Sequence, residues 1–195
     1  NVEDNTYPCM VGGMSSVAQD NGTVLSKLNA DGKTFTINID TNREDTQYLD
    51  LHTMSVSNES SFSLSVLQTD IFLGEGREGL AVSEDFSQIE TDEQYVFDED
   101  DEERLEWYSY DFSVHRIVPD SEVYILEDRG IVFKVQFLNY YNSDDAPRHI
   151  TLLAAPLGNS SIPALTDKSM IQIAPCTVLD NGDGVWGADE VISLQ

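Results

Sequence analysis

Positive charge is what this chain has least of. Ten Lys and Arg stand against 36 Asp and Glu in 195 residues, a formal net charge of −26. A field of that sign repels nucleic-acid phosphates and anionic lipid, so neither is expected as a partner. Cysteine is nearly missing: Cys9 and Cys176 stand alone near opposite ends. Neither belongs to a CxxC pair or sits beside histidines, so no zinc site is expected. No apolar run approaches the roughly 18 residues of a membrane helix, so no span is expected. Catalytic signatures are absent as well. There is no GxSxG and no HExxH, and GEGREG at 74–79 lacks the Lys-Ser/Thr of a phosphate-cradling loop. The chain reads as a binding or structural protein, not an enzyme.

Helical periodicity is also scarce, and alternation takes its place. Val123, Tyr124, Ile125 and Leu126 form an apolar run, followed by the turn Glu127-Asp128-Arg129-Gly130. From there Ile131, Phe133, Val135 and Phe137 fall on one face, and Val132, Lys134, Gln136 and Leu138 on the other. Two such runs about a Gly-bearing turn predict a β-hairpin with one packed and one partly wet face. Lys33–Asp40 alternates likewise, and Thr41–Asp45 reads as a turn. Further strands are predicted at Gln47–Met54, Ser61–Leu73, around Trp107–Tyr110, at Ile150–Leu157 and at Met170–Pro175. Residues 1–31 read as an extended lead-in with one edge strand, where Val24, Leu25 and Leu28 show a brief helical spacing. The stretch 74–106, with the acidic block 98–103, reads as a flexible exposed loop. The expected class is a single all-β domain.

Three groups of residues have chemistry to offer. His52, His115 and His149 are each isolated, but His115 follows the aromatic run Trp107, Tyr108, Tyr110 by five residues. A His or a Tyr phenolate can ligate haem iron, and aromatic walls suit a flat macrocycle. The bland reading of the same run, and the one its spacing favours, is ordinary aromatic strand packing. In the tail, Asp180, Asn181, Asp183 and Glu190 around Gly184 approach the calcium-loop pattern, with Leu179 where the first ligand should stand. The alternative is a DNGDG hairpin turn. Cys9 and Cys176, if paired, would close a loop worth about 4–5 kcal/mol on the chain-entropy model; otherwise they are two separate thiols. The acidity and the start at Asn1 favour an exported, oxidising location with any leader removed, hence a disulfide.

Taken in order, the strands resemble the HmuY-like family of bacterial surface haem-binding proteins. The likeness runs from KTFTINIDTNREDTQYLDL through SSFSLSVLQTDIFLGEG to LEWYSYDFSVHRIVPDSEVYILEDRGIVFKVQFLNYYN and ITLLAAPL, about residues 33–157. Its sharpest part is Tyr124 and Gly130 followed by Lys134-Val135-Gln136-Phe137 and Tyr140. The resemblance implies a largely antiparallel, sandwich-like sheet fold with long loops and little helix. It also implies haem as cofactor, an extracellular or outer-membrane-surface location, and delivery of haem to an outer-membrane receptor. Neither of the family's iron ligands carries over. The first falls within Gly76–Arg104, which has no His or Met, and the second near Ser109 and Tyr110. The expected organisation is a lead-in at 1–32, the β domain at 33–157, and C-terminal strands at 158–195 tied back by Cys9–Cys176. The alternative function is a haem-free extracellular interaction subunit, calcium-stabilised or self-assembling through edge strands.

Overall fold

A computed structural model describes residues 16–20, 23–97, 104–158, 160–166 and 172–173. Strands β1 (Ser16–Asp20) and β2 (Val24–Leu28) lead into β3 (Phe35–Asp40). Then come β4 (Gln47–Asp50), β5 (Ser55–Val56), β6 (Leu64–Leu67) and β7 (Asp70–Leu73). After β8 (Glu78–Val82) follow β9 (Tyr108–Asp111) and β10 (Arg116–Pro119). The long strands β11 (Val123–Asp128), β12 (Ile131–Tyr141) and β13 (Pro147–Pro156) come next. A four-residue helix, α1 (Pro163–Thr166), and β14 (Gln172–Ile173) are the last described elements.

The strands form three sheets. One has eight strands in the order β14-β1-β2-β3-β13-β12-β11-β8, one has four in the order β5-β4-β6-β7, and β9 with β10 forms the third. Every ladder is antiparallel. Alternation explains the layering, because residues two apart share a face. Phe35, Ile37 and Ile39 of β3, Phe133, Val135 and Phe137 of β12, and Ile150, Leu152 and Ala154 of β13 are all buried. They share one core with Leu49, Leu64, Val66 and Ile71 of the small sheet. The molecule is a two-layer sandwich, all-β as expected.

The β11–β12 hairpin forms as its pattern predicts. Arg129 and Gly130 both take positive φ (52° and 81°), and Asp128 pairs with Ile131 across this two-residue turn. The second face of the hairpin is drier than its sequence suggests. Val123, Ile125 and Leu157 form a second cluster with Ile89, capped by Phe86, Tyr95 and Phe97. Lys134, only 8% exposed, donates from Nζ to the carbonyls of Phe86 and Ile89 at 2.7 and 2.8 Å. Its ammonium also lies 4.2 Å from the Phe86 ring centre.

Several boundaries differ from expectation. The stretch 74–106 is not one flexible loop. Glu78–Val82 pairs with β11, and residues 86–97 fold over the second face through the apolar groups just named. Ser61–Leu73 is two strands, not one: Gln68 takes φ 57°, and the chain reverses so that Val66 faces Ile71. The strand begun at Gln47 stops at Asp50, where Leu51 N turns to the Ser63 hydroxyl at 2.8 Å. The helical spacing of Val24, Leu25 and Leu28 lies in a strand. β2 pairs with β3 from Val24↔Ile39 to Leu28↔Phe35, with Val24 and Leu28 buried and Leu25 exposed.

Cys9, Cys176, Asp180, Asn181, Asp183 and Glu190 lie outside the described residues, and with them both the disulfide and the calcium loop.

Candidate functional site

The base of the β9–β10 hairpin is set by Trp107. This side chain is 1% exposed, and its indole N–H donates to the Thr69 carbonyl at 2.8 Å. Its ring stacks against Phe137 and Tyr140, with centroids 5.0 and 6.2 Å away. An aromatic side chain of this size contributes several kcal/mol of burial, so the hairpin leaves the core from a fixed point. β10 is held from the other side. Ile117 N donates to the Tyr141 hydroxyl at 3.0 Å, and the Arg116 guanidinium lies 3.8 Å over the Tyr141 ring. Arg116 also makes a two-pronged contact with Asp145 at 2.8 and 2.5 Å.

Beyond that base the hairpin projects. The pairs Tyr108↔Pro119, Ser109↔Val118, Tyr110↔Ile117 and Asp111↔Arg116 leave a four-residue loop, Phe112-Ser113-Val114-His115. Asp111 Oδ1 accepts from the Ser113 amide at 2.8 Å and hydroxyl at 2.6 Å, which holds its carboxyl below the usual range. His115 closes the loop with φ 55°. This left-handed turn points its ring back along the strand. The Tyr110 hydroxyl and His115 Nδ1 stand 3.2 Å apart, with ring centroids separated by 6.3 Å. With Nδ1 unprotonated the phenol donates to it.

Beside the pair are Phe112 (80% exposed) and Val114 of the loop, both open to solvent, with the Phe112 ring edge-on to Tyr110 at 5.0 Å, while Val118, also exposed, pairs with Ser109 on the hairpin's other face. The structure therefore joins Tyr110 and His115. Trp107 it leaves in the core, and Tyr108, half-buried, packs edge-on against Trp107 at 5.1 Å. Phe112 and Val114 escaped the reading of the sequence because apolar residues at a loop tip break no period. Their signal was DFSVH, a turn without Gly or Pro.

The other histidines serve the scaffold. His52 packs edge-on to Phe133 and bonds from Nε2 to the Asp128 carbonyl at 3.0 Å, while His149 lies 3.9 Å from Asp40. Among the described residues no group of three or more His, Cys, Asp or Glu could hold a metal ion. No described helix is long and apolar enough to cross a membrane.

No protein-family model matches the chain, and no curated protein matches it. Solved structures do. One is a protein of Bacteroides vulgatus assigned as HmuY-like and haem-binding, at 15% identity and TM-score 0.50, over 64% of this chain and 92% of that one. Another is the apo form of an HmuY analogue from Tannerella forsythia, at 13% identity and TM-score 0.52, over 72% of this chain and all of that one. Likeness at this identity speaks to the path of the backbone, and that path is HmuY-like.

Proposed function

We propose that this chain, on its HmuY-like fold, is an extracellular or outer-membrane-surface protein that captures haem and passes it to an outer-membrane receptor. The observation that carries the reading is the Tyr110–His115 pair, 3.2 Å apart on an exposed apolar hairpin. The donor chemistry fits the group: ferric haem accepts a phenolate oxygen as axial ligand and supplies a broad apolar face. Tyr110 is the side chain placed to offer that oxygen. His115 Nδ1 is placed to take the phenol proton and keep the ring oriented, as outer partners do for metal ligands. Phe112 and Val114 supply apolar contact beside the pair.

The test is a titration of the full chain with ferric haem, read as the visible spectrum. A sharpened Soret band at one equivalent is expected, altered by Tyr110→Phe and broadened by His115→Gly, which keeps the loop's backbone. A spectrum equal to that of free haem would end the haem reading and leave the fold standing. A second reading, a haem-free interaction subunit, draws support from the outer edge of β8. Among the described residues this strand pairs with β11 alone.

A further inference from the structure

The β8 edge borders a cavity that the haem reading does not use. It has a volume of about 350 Å³ and is walled by Gly79 and Ala81 of β8, by Arg104, Leu105, Glu106 and Glu122, and by Tyr124 of β11. Its far side belongs to the other layer. Arg104 bridges to Phe72 of β7, and Leu105 N donates to the Ile71 carbonyl at 2.8 Å. The cavity is thus a slot between the last strand of the large sheet and the segment that extends the small one.

Small residues keep the slot open. Register puts Gly79 opposite Leu126 and Ala81 opposite Tyr124, so these two positions of β8 share the face that Leu126 and Tyr124 occupy, with Gly79 buried there and Ala81 exposed on the slot. A Cβ at Gly79 would stand 2.7 Å from Leu126 Cδ2 and 3.0 Å from Leu73 Cδ1, so that end is filled. At Ala81 nothing larger than a methyl group projects.

Two polar features line this space. Tyr124 is 5% exposed; its hydroxyl is buried in the wall and, among the described residues, has no hydrogen-bond partner. Leaving a buried hydroxyl unsatisfied is costly, a cost that a bound partner group removes. Burial pushes this phenol up, and the charges of Glu122, Asp120 and Glu106 push it further, so it stays a neutral donor and acceptor. Of the carboxylates, Glu106 contacts Arg104, whereas Glu122 makes no ion pair among the described residues. Arg104, which also lines the slot, is already held by Asp70 and Glu106, so Glu122 is the carboxylate left to a ligand, and an apolar occupant would leave both it and the hydroxyl without partners among the described residues. A cation on an aliphatic stem satisfies everything: the stem lies on Ala81 and Leu105 and the head meets the oxygens.

The neighbouring backbone says what carries that cation. An unpaired strand edge accepts an extended segment at about 4.8 Å spacing, and every second side chain of that segment then faces the interior. We propose that β8 receives an extended segment of another protein, whose Lys or Arg side chain enters the slot beside Ala81 and meets the Tyr124 hydroxyl and Glu122.

The full chain is titrated by fluorescence anisotropy with a labelled six-residue peptide of alternating Val and Thr carrying one central Lys. Two counterparts carry Glu or Leu at that position. The Lys peptide is expected to bind at least about tenfold more tightly than either, with Glu122→Gln removing most of that preference. Ala81→Leu, which fills the slot, is expected to abolish binding while circular dichroism shows the sheet intact. Glu122→Gln, at a half-buried rim position, serves as the variant whose folding is not in question. Equal affinity for the three peptides, indifference to both substitutions, or no binding at millimolar peptide would each overturn the proposal. Concentration-dependent doubling of mass, lost in Ala81→Leu, would give the edge to a second copy of this chain and overturn the choice of partner.

Discussion

Arg77 Nε donates to Asp128 Oδ1 at 2.9 Å, joining residues 51 apart in the chain. Asp128 is 1% exposed and also accepts from the Ser63 hydroxyl at 2.5 Å and from Arg129 Nε at 2.9 Å. Arg129 in turn reaches Asp50 at 2.7 Å. One buried carboxylate therefore ties the β11–β12 turn to the β7–β8 connection and to the small sheet. Charge pairs at this depth add little net stability over an apolar substitute, but removing one partner strands the others.

Asp128→Asn is expected to lower the unfolding free energy by about 3 kcal/mol, read as a shifted urea midpoint at unchanged slope. The effect depends on pH with a definite sign. Burial alone would raise this carboxyl, but hydrogen bonds from Arg129 and Ser63 and the charges of Arg129 and Arg77 outweigh it and hold it low. The unfolded state then binds its proton first, so the stabilisation is complete above about pH 4 and fades as pH falls through the lower folded value. A difference between the two proteins that stays constant down to pH 2 would contradict this.

Lys134→Met removes the bonds to the Phe86 and Ile89 carbonyls but leaves the stem's packing. Burial already opposes this ammonium, with Lys33 nearby adding to the effect, so the global loss is expected to be about 1 kcal/mol or less. The local effect is larger. Amide exchange across residues 83–97 is expected to accelerate well beyond that of β12, because the cover opens without the sheet unfolding. Equal acceleration in both would show that Lys134 supports the whole core.

His115 sits at φ 55°, which glycine adopts without cost and a β-branched residue does not. His115→Gly is expected to melt within about 0.5 kcal/mol of the parent, and His115→Val to lose about 1–2 kcal/mol. Similar melting of the two variants would mean that the loop does not need this conformation.

Much of this fold was legible because its strands obey period two. Phe35, Ile37 and Ile39 in β3 and the two runs about Gly130 announce both their faces and their turn. What escaped notice was settled by contacts distant in sequence. Nothing in SVLQTDIFL marks a reversal, yet Gln68 turns there because Leu64 then pairs with Leu49 on one side and Leu73 on the other. The acidity around 75–93 hid a strand and a cover, since Leu80, Phe86 and Ile89 are too widely spaced to show a period. At the candidate site, Tyr110 and His115 were singled out from the sequence, but their contact depends on a loop conformation that five residues of spacing do not specify. Tyr124 stood in the best-read strand, but that its hydroxyl has no partner among the described residues, with only Ala81 opposite it, is a matter of tertiary packing.

An exposed strand edge ordinarily invites copies of the same chain to stack through it. Here each copy brings a formal charge of −26, so two copies approaching edge to edge meet a mutual repulsion that only counterions can relieve. The acidity thus acts as a colloidal guard: at low ionic strength it holds like molecules apart and leaves the edge accessible to a cationic segment. Added salt, which shortens the reach of that repulsion to about 10 Å at 0.1 M, weakens both the guard and the attraction together.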